Sequence, residues 1–282
     1  MTRPIILNPS LLRAFTAHLR TAERAPATVA AYTRAVRGLR DFAGNAPLTH
    51  DLLTRYKQHL TDRGCAPASV NAHLAAINAL LVFLDRRDLT LSPLRVQRTL
   101  FLDDRRELSR AGYARLVDAA ARKSTRLSLV IQTICATGIR VSELRFITVE
   151  AVRAGRAEIA NKGKRRIVFL PEKLRRTLEK YLRKQKKTAG AVFTTRTGKP
   201  LDRSNIWRDM KALCAAAGVA PARVFPHNLR HLFARTHYTT HRDMTRLADI
   251  LGHTSINTTR IYTAESGSVH ARQIGQLGLV IT

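Results

Sequence analysis

Acidic side chains are scarce in this sequence: 20 Asp and Glu stand against 49 Lys and Arg, for a formal net charge of +29. Such a surplus repels itself unless a polyanion lies against it, which argues against a basic partner and puts nucleic acid first. Carboxylate pairs suited to Mg²⁺ are correspondingly few. Asp243 and Asp249 stand six apart, and Asp103 and Asp104 fall in a linker-like stretch, so a metal-dependent nuclease has little to build on. Cysteine is nearly absent as well. Cys65, Cys135 and Cys214 are widely spaced, odd in number and mostly set among apolar residues, a pattern of reduced core positions rather than disulfides or a zinc site. No apolar run reaches the roughly 18 residues that span a bilayer. The opening MTRPIILNPS lacks the apolar stretch of a secretory signal. A cytoplasmic, DNA-associated protein with no membrane partner is therefore expected. No GxxxxGK[ST] occurs, which leaves ATP-driven motors and P-loop ligases without a phosphate cradle.

What is present is helix, charge and three polar clusters. The 282 residues, 45% of them hydrophobic, suffice for two modest cores. Both halves are basic, with 14 basic against 6 acidic side chains over residues 1–100 and 35 against 14 over 101–282. From residue 10 to about 87 apolar residues recur every three or four positions, predicting a helical module over 1–92. APATVAAY and APASVNAH begin two of its helices, with Thr28 and Ser69 suited to a helix start. Arg34, Arg37, Arg55 and Lys57 are its DNA-binding candidates. Residues 93–106 lose the helical period and read as a linker. The second module, 107–282, shows helices over about 109–122, 125–137, VSELRFI, 171–187, 204–217, 226–237, 243–251 and 255–263. GRAEIA and RRIVFLP, joined by NKGK, read as a β-hairpin with Lys162, Gly163 and Lys164 at its tip. Arg165 and Arg166 next to that tip are further DNA-binding candidates. The fold class is thus mainly α with a small β-sheet.

The polar clusters interrupt core-like stretches. Arg140 and Glu143 lie three apart in TGIRVSEL, where the carboxylate can hold the guanidinium. His227 and Arg230 lie three apart in PHNLRH near a helix start. His253 precedes Tyr262 by one short helix. Two arginines, a lysine, two histidines and a tyrosine match attack on a phosphodiester. Arginines can carry the charge of a crowded phosphorus centre, and a tyrosine of ordinary pKa about 10 needs a proton acceptor and a cationic setting. His227 can accept that proton, and a lysine at a hairpin tip can protonate the departing oxygen. His227 and His231 also have the spacing that opens a zinc site, but the glutamate of H-E-x-x-H is missing, so His231 reads as a core or helix-packing residue and no metal is expected.

In their order, TGIRVSEL, NKGKRR, PHNLRHLFA and LADILGHTSINTTRIY resemble the signature series of the tyrosine recombinases, or phage-integrase family, most of all its compact Xer-type and transposon-encoded members. The resemblance covers nearly the whole chain. It implies a SAM-like core-binding domain followed by an α+β catalytic domain, with no room ahead of it for an arm-site domain. It implies that Arg140 and Arg230 clamp the phosphate, that Lys162 protonates the 5′-oxygen with Lys164 as its rival, and that His227 assists as a base. His253 is then the second histidine, Glu143 the supporting carboxylate and Tyr262 the nucleophile of a 3′-phosphotyrosyl bond. It further implies a homotetramer on two DNA duplexes with short inverted core sites, exchange through a Holliday junction, and no ATP or metal cofactor. The apolar closing stretch IGQLGLVIT either folds on its own domain or packs into a neighbour. A type IB topoisomerase would use similar groups, and a silent architectural DNA-binding protein would use the charge alone.

Overall fold

Proline sets the entry of three of the four α-helices described in the first of two structural units, Met1–Arg98. The computed structural model describes residues 4–96, 107–161, 164–253, 255–262 and 274–279, without the side chains of Asn161, Lys164 and Ile261. In the first unit α1 is Pro9–Thr21, α2 Pro26–Ala43, α3 His50–Asp62 and α4 Pro67–Phe83. Pro at the first helical position lacks an N–H that would have no partner there in any case. Asn8 caps α1 by accepting from Leu11 N at 2.8 Å, and Thr49 caps α3 from Leu52 N at 3.1 Å. Thr28 and Ser69 do not cap. They stand one turn inside α2 and α4, where their own N–H groups reach the Ala25 and Ala66 carbonyls at 2.8 Å. With proline presetting the first turn, these starts lean on backbone alone.

Helix α4 is the apolar spine of this unit. Its Val70, Leu74, Ile77, Leu80 and Leu81 are buried with Phe15, Leu39 and Leu53. Burial of each such side chain contributes on the order of 1.5–3 kcal/mol. Two asparagines on α4 then tie down the chain that leaves it. Asn71 exchanges two hydrogen bonds with the Leu94 backbone (2.9 and 2.7 Å), and Asn78 does the same with Leu91 (2.9 and 3.0 Å). Seven helical residues rise about 10.5 Å, and three extended residues span about 10 Å, so the two ladders match. Lys57 adds a bond to the Ser92 carbonyl at 2.9 Å. Residues 93 and 94 of the expected linker are therefore fastened to the helical unit, while its residues 97–106 lie outside the described residues.

The second unit, Thr99–Thr282, begins with α5 (Arg110–Lys123) and α6 (Thr125–Thr137), followed by a 3₁₀ turn at Val141–Phe146 and α7 (Val149–Ala154). Strands β1 (Arg156–Asn161) and β2 (Lys164–Phe169) pair antiparallel from Arg156↔Phe169 to Asn161↔Lys164. Then come α8 (Glu172–Lys184), α9 (Arg203–Lys211), α10 (Cys214–Ala217), α11 (Pro226–His241), α12 (Met244–Leu251) and α13 (Ile256–Thr259), the last running into a 3₁₀ turn at Arg260–Tyr262. Helix α6 is buried continuously from Leu127 to Ile131 and forms the centre against which α5 and α11 pack. Among the described residues the fold is mainly helical with one small sheet, as the sequence pattern predicts. VSELRFI winds as 3₁₀ rather than α, and at its head Glu143 turns back to the N–H of Arg140. The helix expected over 204–217 is broken at Ala212 and Leu213, and the one-and-a-half turns of α7 are too short to show a period. Among the described residues no helix is long and apolar enough to cross a membrane. All three cysteines are free thiols, and burial pushes Cys135 up to about 12.

Candidate active site

Four segments of the second unit bring the clustered residues together: the 3₁₀ turn, β2, α11, and the stretch from the end of α12 to Tyr262. Gly138 ends α6 in the left-handed conformation (φ 65°), which frees its carbonyl for Arg230. Arg230 is 1% exposed and spreads its fork over two backbone carbonyls and a ring: Nη1 donates to Gly138 O at 2.6 Å, and Nη2 lies 2.7 Å from Leu251 O and 2.9 Å from His253 Nε2. A guanidinium has no acceptor, so His253 Nε2 accepts and its proton sits on Nδ1, 2.9 Å from Thr259 Oγ1. Thr259 is fully buried on α13. Ser255 caps that helix, its hydroxyl accepting from Asn257 N.

Arg140 stands at the head of the 3₁₀ turn with its side chain 37% exposed, by far the more open of the two clustered arginines. Glu143, 1% exposed, accepts from the Arg140 backbone (2.8 Å) and from its Nη1 (3.0 Å). Its other partner is Arg166, whose two terminal nitrogens grip both carboxylate oxygens at 3.0 and 2.8 Å. Burial pushes the Glu143 carboxyl up. The hydrogen bonds from Arg166 and Arg140 outweigh that cost and hold it below the usual carboxylate range.

Tyr262 is 4% exposed and enclosed by three imidazoles. His231 meets its ring edge-on with centroids 4.5 Å apart, His253 stacks at 5.7 Å and 14°, and His227 lies at 6.4 Å. His227 and His231, one turn apart on α11, touch at 4.6 Å. Ala234, Leu247 and Leu251 close the apolar side. Burial lowers all three histidines, and nearby arginines lower them further, with His231 and His253 brought to about 4 and His227 moved the same way. Burial also draws Arg230 down, against support from the Tyr262 hydroxyl. The result is a tyrosine among neutral imidazoles, next to a fixed guanidinium and a second, open one. Such a cluster sets cationic groups beside a phenol, where they favour negative charge on oxygen.

Of the residues singled out in the sequence, Arg140, Glu143, His227, Arg230, His253 and Tyr262 meet in this site. Lys162 lies outside the described residues, and the Lys164 side chain is not described. Asn161 pairs with Lys164, so positions 162 and 163 are the residues between the strands. Arg165 is exposed, whereas Arg166 is turned inward to Glu143. In the first unit Arg34 and Arg37 line a cleft of about 620 Å³ together with Arg20 and Arg24. Arg55 pairs with Asp51 at 3.0 Å. Sequence reasoning missed Thr259 and the enclosing role of His231, although the four-residue step from His227 to His231 already places both on one helix face.

Comparison with known proteins gives the family and the fold. Residues 106–268 match the phage integrase family, and residues 12–88 match the phage integrase N-terminal SAM-like domain. Tyrosine recombinase XerD of Xanthomonas axonopodis pv. citri is 37% identical over 150 residues, 48% of this chain and 49% of that protein. The chain thus spans about half the length of the curated relatives it matches. In fold it is similar to XerH site-specific recombinase bound to difH substrate in a pre-cleavage complex, with TM-score 0.71, 19% identity and coverage of 97% of this chain and 85% of that one. It is similar also to a lambda integrase tetramer bound to a Holliday junction, with TM-score 0.73, 18% identity and coverage of 90% and 76%. With the greater part of its length matching that family's model, the chain belongs to the phage integrase family, the tyrosine recombinases.

Proposed function

We propose that this protein is a site-specific DNA recombinase that cuts and rejoins strands through a 3′-phosphotyrosyl bond. The observation that carries the reading is the enclosure of Tyr262 by His227, His231, His253 and Arg230, with Arg140 open beside them. The Tyr262 oxygen attacks phosphorus, His227 takes the phenolic proton, and the P–O5′ bond breaks as a lysine of the hairpin protonates the leaving oxygen. Arg140 and Arg230 bind the nonbridging oxygens as negative charge builds. His253 Nε2 is occupied by Arg230, so its part is to orient that guanidinium; donation from His253 to phosphate requires the other tautomer. One phosphodiester is exchanged for another ester, so no energy source is consumed, and a 5′-hydroxyl from a second strand reverses the step. The roles of Lys162 and Lys164 belong to the same proposal, with Lys162 first.

The partners follow from the same reading. Double-stranded DNA carrying short inverted core sites is the substrate, and a homotetramer on two duplexes, joined through a Holliday junction, is the working assembly. Support comes from the net charge of +29 and from the complexes formed by XerH and lambda integrase. Ile274, Leu277 and Leu279 are exposed apolar side chains in the closing segment, which suits packing into a neighbouring protomer.

The test is incubation with supercoiled or nicked DNA bearing the site, without Mg²⁺, followed by denaturing gels and mass mapping. A 3′-linked adduct on Tyr262 that disappears in Tyr262→Phe is expected. Cleavage persisting at full rate in that variant would defeat the mechanism. Separate Lys162 and Lys164 variants, assayed on a substrate with a sulfur leaving atom, identify the acid, because only the true donor's variant is rescued.

A further inference from the structure

Arg166 does not stand where a DNA contact would. Its side chain is 14% exposed, both terminal nitrogens are spent on Glu143, and its Nε is buried with no partner among the described residues. The backbone opposite makes room for it: a Cβ on Gly252 would come within 2.8 Å of Arg166 Nη1 and 2.9 Å of its Cδ. Gly252 in turn leads directly into His253. Strand β2 is thereby keyed to both halves of the site through one guanidinium.

The charge balance gives this contact its meaning. Glu143 carries one negative charge and touches two arginines. Arg166 holds it by a parallel fork, the stronger geometry, while Arg140 gives it only one terminal nitrogen and stays 37% exposed. Were Glu143 paired with Arg140 alone, the open guanidinium would be cancelled by a buried carboxylate and held to it. We propose that Arg166 is a positioning residue that neutralises Glu143, so that Arg140 keeps its orientation from the carboxylate and its net positive charge for the phosphate. This rests on the recombinase reading for the identity of the anion.

The experiment compares wild type, Arg166→Met, Arg166→Lys and the double variant Arg166→Met/Glu143→Gln. Glutamine can still accept from the Arg140 backbone but carries no charge. Two readouts are taken: single-turnover formation of the Tyr262 adduct at saturating DNA, and titration with inorganic phosphate, which needs no strand cutting. Arg166→Met should slow adduct formation by about 10- to 100-fold and weaken phosphate binding by at least about fivefold. Adding Glu143→Gln should recover most of both losses. Arg166→Lys, which keeps charge without the fork, should retain at least about a tenth of the wild-type rate, and it carries the test if melting curves show the Met variants unfolded. A double variant no better than Arg166→Met, or a Lys variant below about a hundredth of wild type, overturns the proposal. So does a loss confined to DNA affinity with a salt slope reduced by about one, the mark of a direct phosphate contact. If wild type forms no adduct while phosphate binding follows the stated order, the recombinase reading fails and the role of Arg166 stands. If adducts form and neither readout recovers, the reverse holds.

Discussion

Nη2 of Arg230 lies 2.9 Å from Nε2 of His253, and because a guanidinium only donates, that contact sets the tautomer of the histidine. The same guanidinium satisfies the Gly138 and Leu251 carbonyls, so it is built into the fold as well as into the site. Lysine has one ammonium and cannot span three acceptors. Arg230→Lys should therefore leave buried carbonyls unpaired, at about 1–3 kcal/mol of stability. Adduct formation should fall by on the order of 100-fold or more. Thermal melts and single-turnover cleavage measure the two effects; a Lys variant with wild-type rate would show that the fork is dispensable.

Acid should weaken the second unit before it affects the carboxylates. His231 and His253 sit near pKa 4 in the fold against an ordinary 6.5, chiefly through burial. Between these values the unfolded chain takes up protons that the folded one refuses, so stability present above about pH 6.5 declines as pH falls toward 4. Melting temperatures at stepped pH should show this slope, and His231→Phe should flatten it. A wild-type melting temperature that holds level or rises over that interval would contradict the buried neutral imidazoles. In cleavage, His227 must be neutral to take a proton. The acid limb of the rate profile should accordingly have its midpoint below the ordinary histidine value of 6.5, and a midpoint near 7 or above would remove His227 as the acceptor.

Much of this arrangement is legible in the chain, and the rest fails for identifiable reasons. The three-residue steps Arg140–Glu143 and His227–Arg230 announce shared faces, and the strand alternation separates Arg165 from Arg166. Val168 and Leu170 are buried on the side where Arg166 points, whereas Arg165, Ile167 and Phe169 are outward. A charged residue on a core-facing position still reads as surface until its counter-ion is known, and Glu143 lies 23 residues earlier, in another element. Nor does any periodicity tell that His253 accepts from Arg230 rather than donating, because that depends on three elements meeting. The role of the two asparagines of α4 has no sequence signal for the same reason: their partners are backbone atoms of a segment with no period.

Gly138 should resist substitution on two counts. Its φ of 65° costs a residue with a side chain about 1–2 kcal/mol. A Cβ there would also run into the Phe233 ring. Because the Gly138 carbonyl anchors Arg230 Nη1 at 2.6 Å, the displacement reaches the site. Gly138→Ala should lower both the melting temperature and the adduct rate. Adding Phe233→Leu should return part of the loss, since it relieves the clash and leaves the backbone strain. Full recovery would mean that the left-handed conformation contributes nothing.

The paired bonds from Asn71 to Leu94 and from Asn78 to Leu91 make a prediction local to the first unit. Each asparagine satisfies one N–H and one carbonyl of an extended segment that has no sheet partner among the described residues, so Asn→Ala at either place should cost about 1 kcal/mol per lost bond. The amides of Leu91 and Leu94 report on it directly by hydrogen exchange. Asn78→Ala should speed exchange at Leu91 more than at Leu94, Asn71→Ala the reverse, and the double variant should free both while the α4 amides of Leu74 and Ile77 stay protected. Equal acceleration throughout α4 would instead mean that the asparagines hold the helix itself. Selective acceleration would identify them as the clasp that fixes where the chain leaves the helical unit, and so where the reach of the following segment begins.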